Sequence, residues 1–173
     1  MSGAKKYFGL VFMALLVLPA ACAPVISENI RSQADPSLGF AQVSADPEAH
    51  KGEMVIFGGI ILEGVNTKEG TLLTILQRPT ASNGRPLDVD ESAGRFLALY
   101  PEFLDVAVYS PGRAVTVAGR VAGRRVQPLG EIEYTYPLIK VEEIYLWPKP
   151  QPPVGGFQFY YHPFHAHPFW WTF

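Results

Sequence analysis

The chain has 173 residues, enough for one domain and little more, and its 48% hydrophobic and 17% charged residues exclude a disordered or highly charged polypeptide. A formal net charge of −2 offers no general attraction to phosphate backbones, so nucleic acid is not an expected partner. Sixteen glycines and sixteen prolines disfavour a helical bundle, and a single cysteine excludes an internal disulfide and a cysteine zinc site.

Lys5 and Lys6 open the chain with positive charge, and the 12-residue apolar run YFGLVFMALLVL follows. A membrane-crossing helix needs about 20 apolar residues, so this run is too short to span. It has the length of a secretory signal core, and residues 1–21 are expected to be a signal peptide. The segment Leu18-Pro19-Ala20-Ala21-Cys22 resembles a bacterial lipobox, with Pro19 where that pattern prefers an aliphatic residue. The resemblance implies a diacylglyceryl group on the Cys22 thiol, cleavage before Cys22, and an acyl chain such as palmitate on the new amine. More than one chain at one residue anchors a protein stably, because each buried methylene contributes about 0.8 kcal/mol. Ala23, where Asp would favour inner-membrane retention, points to the outer membrane with the domain in the periplasm. The bland alternative is an ordinary leader cut near Leu18-Pro19-Ala20.

Residues 22–49 lack periodicity and read as the lipidated cysteine and a tether, becoming ordered near Phe40 and Val43. The domain is expected over 50–147. Met54-Val55-Ile56-Phe57-Gly58-Gly59-Ile60-Ile61-Leu62 reads as a strand, with the glycines at a bulge or kink. Asn66-Thr67-Lys68-Glu69-Gly70 reads as a hairpin loop with Gly70 at positive φ, and Thr71-Leu72-Leu73-Thr74-Ile75-Leu76 as the second strand. A polar loop over 80–91 leads to a third strand, Gly94-Arg95-Phe96-Leu97-Ala98-Leu99. A turn or short helix is expected over 101–108. In the run 114–121, Val115, Val117, Gly119 and Val121 share one face while Thr116, Ala118 and Arg120 share the other. Gly123-Arg124-Arg125 reads as the next reversal, and Glu131-Ile132-Glu133-Tyr134-Thr135-Tyr136 as a strand interrupted by Pro137. The run 138–147 closes the domain. The pattern predicts an all-β fold, a small five-stranded OB-like Greek-key barrel, with an open sandwich as the competing architecture.

Residues 148–173 form an irregular aromatic and Pro-rich tail. Phe157, Phe159, Tyr160, Tyr161, Phe164, Phe169, Trp170, Trp171 and Phe173 are candidates for contact with a membrane or an envelope protein partner. Packing on the chain's own barrel and stacking on a ligand are the other two readings. His162, His165 and His167 are weak metal-ligand candidates, because no carboxylate lies in the tail. Asp88, Asp90 and Glu91 do not have the spacing of an EF-hand loop. Arg120, Arg124 and Arg125 read as a solvated hairpin tip. No nucleophile elbow, zinc-protease helix or phosphate loop is present, so no enzyme activity and no cofactor are expected.

Several of these runs, taken in order, are similar to one family. They are Lys51-Gly52 leading into Val55-Ile56-Phe57-Gly58-Gly59-Ile60-Ile61, then Gly94-Arg95-Phe96-Leu97-Ala98 and Val115-Thr116-Val117-Ala118-Gly119. Tyr136-Pro137-Leu138 and Val141-Glu142-Glu143-Ile144-Tyr145-Leu146-Trp147 complete the series. With Cys22, the chain resembles the Slp family of outer-membrane lipoproteins, named for starvation-inducible expression. The resemblance implies a non-catalytic, membrane-attached envelope protein with a structural or interaction role, stress-related in expression. The alternative is a periplasmic module on an OB-like barrel that binds a saccharide, metal or small molecule.

Overall fold

A computed structural model describes residues 24–150. Two short helices, α1 (Glu28–Arg31) and α2 (Phe40–Ala45), precede five strands. These are β1 (Met54–Thr67), β2 (Gly70–Arg78), β3 (Arg95–Tyr100), β4 (Ala114–Leu129) and β5 (Ile132–Leu146). They close into a barrel in the order β1-β2-β3-β5-β4, and β4 pairs back onto β1. Every neighbouring pair is antiparallel except β3 with β5, which is parallel. This is the five-stranded OB-type barrel expected from the strand pattern, and closure disposes of the open sandwich.

Strand β1 serves two neighbours. Its first half pairs with β4 and its second half with β2, the two overlapping at Gly58, Gly59 and Ile60. A β-carbon on Gly59 would lie 2.3 Å from the Leu76 carbonyl oxygen, and one on Gly58 would lie 2.3 Å from Thr80 Cγ2. The glycines therefore allow close approach, of β2 on one side and of a loop on the other. The bulge expected at this pair lies further on, between Ile61 and Glu63.

The barrel interior follows the period of two. Phe57, Ile61, Leu73, Ile75, Val117 and Ile139 all belong to one buried cluster. The barrel's open end beside Phe96 is plugged by α2. Phe40 meets Phe57 edge-on with ring centroids 5.2 Å apart and lies 5.7 Å from Phe96, while Val43 is fully buried. The first turn of α2 is held by Gly39 N–H donating to Gln42 Oε1 at 2.7 Å. Beyond the far end of β3, buried Thr71 accepts from Leu104 N–H at 2.8 Å and donates to Asn66 Oδ1 at 2.7 Å.

Three expectations need correction. Gly123-Arg124-Arg125 is not a reversal, because β4 runs straight through it to Leu129. Gly123 has φ +105 and sits at a register shift, where the Glu48 carboxylate accepts from Arg124 N–H at 3.0 Å. The true reversal is at Gly130, with φ +62. Pro137 does not break β5 either. Parallel pairing with β3 begins only at Leu138, so the strand has one partner at Pro137 and a proline is tolerated there. Finally, packing begins well before Phe40. Ile26 and Ile30 are 3% and 9% exposed, and with Met54 and Ala118 they form a second apolar cluster on the outside of β1 and β4.

Candidate functional site

Both ends of the described chain converge on the loop between β2 and β3. That loop folds back over the outer face of β1 and β4, pinned by a bridge between Thr80 and Pro86 and by Leu87 N–H donating to the Pro79 carbonyl at 2.8 Å. Arg78 fastens its later part by donating to the carbonyls of Val89 and Glu91. Gly84, at φ +87, presents its carbonyl to the buried hydroxyl of Thr116, which donates to it at 2.7 Å. The same Thr116 oxygen accepts from the indole N–H of Trp147 at 2.9 Å. Thus one hydroxyl on the outward face of β4 holds the loop and the last aromatic of the barrel together. Arg85 lies over the Trp147 ring at 5.4 Å, a cation–π arrangement.

The N-terminal segment arrives at the same loop. Pro24, Val25 and Ile26 line a cleft of about 320 Å³ with Ala81, Ser82, Asn83, Gly84 and Thr116. Ser27 N–H, donating to both carboxylate oxygens of Glu143 at 3.0 and 3.2 Å, fixes the segment to β5. On the other side of the loop, Trp147, Pro148, Lys149 and Pro150 border a cleft of about 410 Å³. Ala81 and Asn83 line both clefts. The larger one carries three cations, Arg85, Arg113 and Lys149, against one carboxylate, Asp88. Arg113 is held by donating to the carbonyls of Val108 at 3.0 Å and Trp147 at 2.9 Å.

A third cleft, of about 460 Å³, lies on the β3–β5–β4 face and is lined by Glu69, Leu99, Arg120, Lys140 and Glu142. Its charges are largely matched internally: Arg120 Nε is 3.0 Å from Glu142. Arg120 also donates to Gln33 Oε1 at 2.7 Å and to the Gly52 carbonyl at 3.2 Å, so it ties the N-terminal segment to the barrel. Arg125 faces Glu69 at 4.0 Å across the two long hairpins. The arginines read as a hairpin tip are therefore spread along β4, and two of the three face carboxylates. Among the described residues, Tyr109 and Asp35 are displaced from their ordinary values. Partial burial raises the Tyr109 hydroxyl, with Tyr100 adding to the effect and Arg113 opposing it. Hydrogen bonds from the Ser37 hydroxyl and backbone hold the Asp35 carboxyl below the usual carboxylate range.

Cys22, the leader 1–21, the nine tail aromatics and His162, His165 and His167 lie outside the described residues. Among the described residues no group of three His, Cys, Asp or Glu is arranged to hold a metal, and no helix is long and apolar enough to cross a membrane. The loop–Thr116–Trp147 junction was not foreseen from the sequence. The only signal for it was Thr116 in the outward-facing set of β4.

The model of the outer membrane lipoprotein Slp family matches residues 20–173. The outer membrane protein Slp of Escherichia coli (strain K12) is 30% identical over 142 residues, covering 80% of this chain and 74% of that protein. The uncharacterized lipoprotein YeaY of the same strain is 26% identical over 139 residues, covering 80% of this chain and 72% of the relative. Among solved structures, a small single-stranded DNA-binding protein from Streptomyces coelicolor is 17% identical with a TM-score of 0.33, covering 55% of this chain and 94% of that one. From the extent of the family match and the identity to the Escherichia coli protein, the chain belongs to the outer membrane lipoprotein Slp family.

Proposed function

We propose that this chain is a non-catalytic lipoprotein of the outer membrane, anchored by acyl chains on Cys22, with its barrel in the periplasm serving a structural or interaction role in the envelope. Family membership supports the address. The observation that carries the reading is the docking of Ile26 and Ile30 on the barrel so soon after Cys22. A segment that follows a cleaved leader and needs only to span a gap has no reason to bury isoleucines. Here it fixes the barrel to its attachment point. The ligand-binding alternative has the 460 Å³ cleft in its favour, but the Arg120–Glu142 pair leaves that cleft few unpaired polar groups for a ligand.

The test is incorporation of labelled palmitate in a bacterial host. The native chain takes up label and fractionates with the outer membrane, whereas Cys22→Ser loses the label and leaves that fraction. Label retained by Cys22→Ser overturns the anchor assignment.

A further inference from the structure

Building on the Cys22 anchor, we infer that the face built from the 81–88 loop, Val25 and Trp147 is the side on which the barrel sits against the bilayer, with the exposed Arg85 and Lys149 meeting phospholipid headgroup phosphates.

The argument starts from chain length. Pro24 is two residues beyond Cys22, and two extended residues reach at most about 7 Å. From Val25 onward the backbone is committed: Ile26 and Ile30 are buried against Met54 and Ala118, and Ser27 is bonded to Glu143. An acylated Cys22 therefore leaves no tether long enough to let the barrel turn freely. The part of the barrel beside Pro24 must lie at the headgroup level, and that part is the 81–84 stretch of the loop.

The other end of the barrel domain leads to the same place. A β-carbon on Gly84 would be 3.6 Å from Val25 and 3.7 Å from Thr116, and Thr116 is bonded to both Gly84 and Trp147. The chain leaves this junction through Pro148, Lys149 and Pro150. The 23 residues that follow carry nine aromatics and no Asp, Glu, Lys or Arg. Tryptophan and tyrosine prefer the headgroup level. Lipid anchor and aromatic tail thus depart from one face, although 123 residues separate Pro24 from Trp147 in sequence.

The chemistry of the face fits a phosphate surface. The cleft beside Trp147 has three cations to one carboxylate, while the chain as a whole has net charge −2. Leu87 is 41% exposed beside Asp88 and adds apolar surface to the face. The cleft on the β3–β5–β4 face holds two cations and two carboxylates and has no such bias.

The test uses the acylated full chain in vesicles of phosphatidylethanolamine and phosphatidylglycerol doped with a headgroup-labelled quencher lipid. Cys22 is the only cysteine and is blocked by acylation, so Ser82→Cys or Ile132→Cys accepts a fluorophore at one place. Both positions are exposed. The label at residue 82 is expected to lose roughly half its emission, and the label at residue 132, up to about 40 Å away along β4 at ~3.3 Å per residue, less than about a tenth. Equal quenching at the two positions, or more at 132, overturns the orientation. Removing two cations with Arg85→Gln and Lys149→Gln is expected to reduce quenching at residue 82 by about half. Unchanged quenching overturns the role given to the cations. The intact mass of the same preparation reports acylation separately: a chain without acyl groups overturns the anchor and this inference together, whereas unfavourable quenching on an acylated chain overturns this inference alone.

Discussion

Gly59 shows how little space separates the strands of this barrel. A methyl group there would lie 2.3 Å from the Leu76 carbonyl oxygen and 2.5 Å from Ile75 Cγ2, and the first of these is backbone that cannot rotate away. Gly52 is different, since nothing lies within 4 Å of a β-carbon and only its φ of +89 resists substitution. Gly59→Ala is expected to cost about 2–3 kcal/mol through displacement of β2. Gly52→Ala is expected to cost about 1–2 kcal/mol through left-handed strain alone. Urea midpoints of the two variants check the order; equal midpoints would mean the strands part more easily than the geometry says. That a glycine pair in a strand needs a reason is legible in sequence. Which atom claims the space is not, because Leu76 comes to Gly59 through register, and no local pattern of either segment encodes that contact.

Helix α2 is short, only six residues, and owes its place to what it buries. An isolated helix of this length does not hold in water. Its Phe40 and Val43 fill the barrel end beside Phe57 and Phe96, so the plug comes from before the first strand. Phe40→Ala is expected to destabilise the fold by about 3–5 kcal/mol. Phe103→Ala, at a site 74% exposed, is expected to change stability by less than about 0.5 kcal/mol. Chemical unfolding of both variants followed by tryptophan fluorescence tests the contrast, and a small loss at Phe40 would mean that the plug is dispensable. The strands of the barrel were legible because an alternating run advertises its buried face. Phe40 and Val43 are the apolar residues near which the sequence predicts order. Ile26 and Ile30 did not, since four residues of α1 give no periodicity to read. Gly123 misled for a related reason: glycine at positive φ serves a mid-strand bulge and a reversal equally well.

The described residues pack as one unit that includes residues 24–49. The outer face of β1 and β4 is covered first by the N-terminal segment and then by the 80–87 loop, and the barrel end by α2. A chain beginning at residue 50 would expose the ring faces of Phe57 and Phe96 and the outer sides of Met54 and Ala118 together. It is expected to lose the sharp unfolding transition, whereas the chain from residue 24 is expected to give coincident transitions by far-ultraviolet circular dichroism and fluorescence. A truncated chain that still unfolds cooperatively would show the barrel to be self-sufficient. From residues alone came the apolar run ahead of Cys22, the number of strands, and which side chains of β4 share a face, because each depends on neighbours in the chain and on a period of two. Only the folded molecule could put Val25, Gly84, Thr116 and Trp147 in one junction: these residues carry no shared local signal, and contacts 31 and 32 residues apart arise from how the barrel closes.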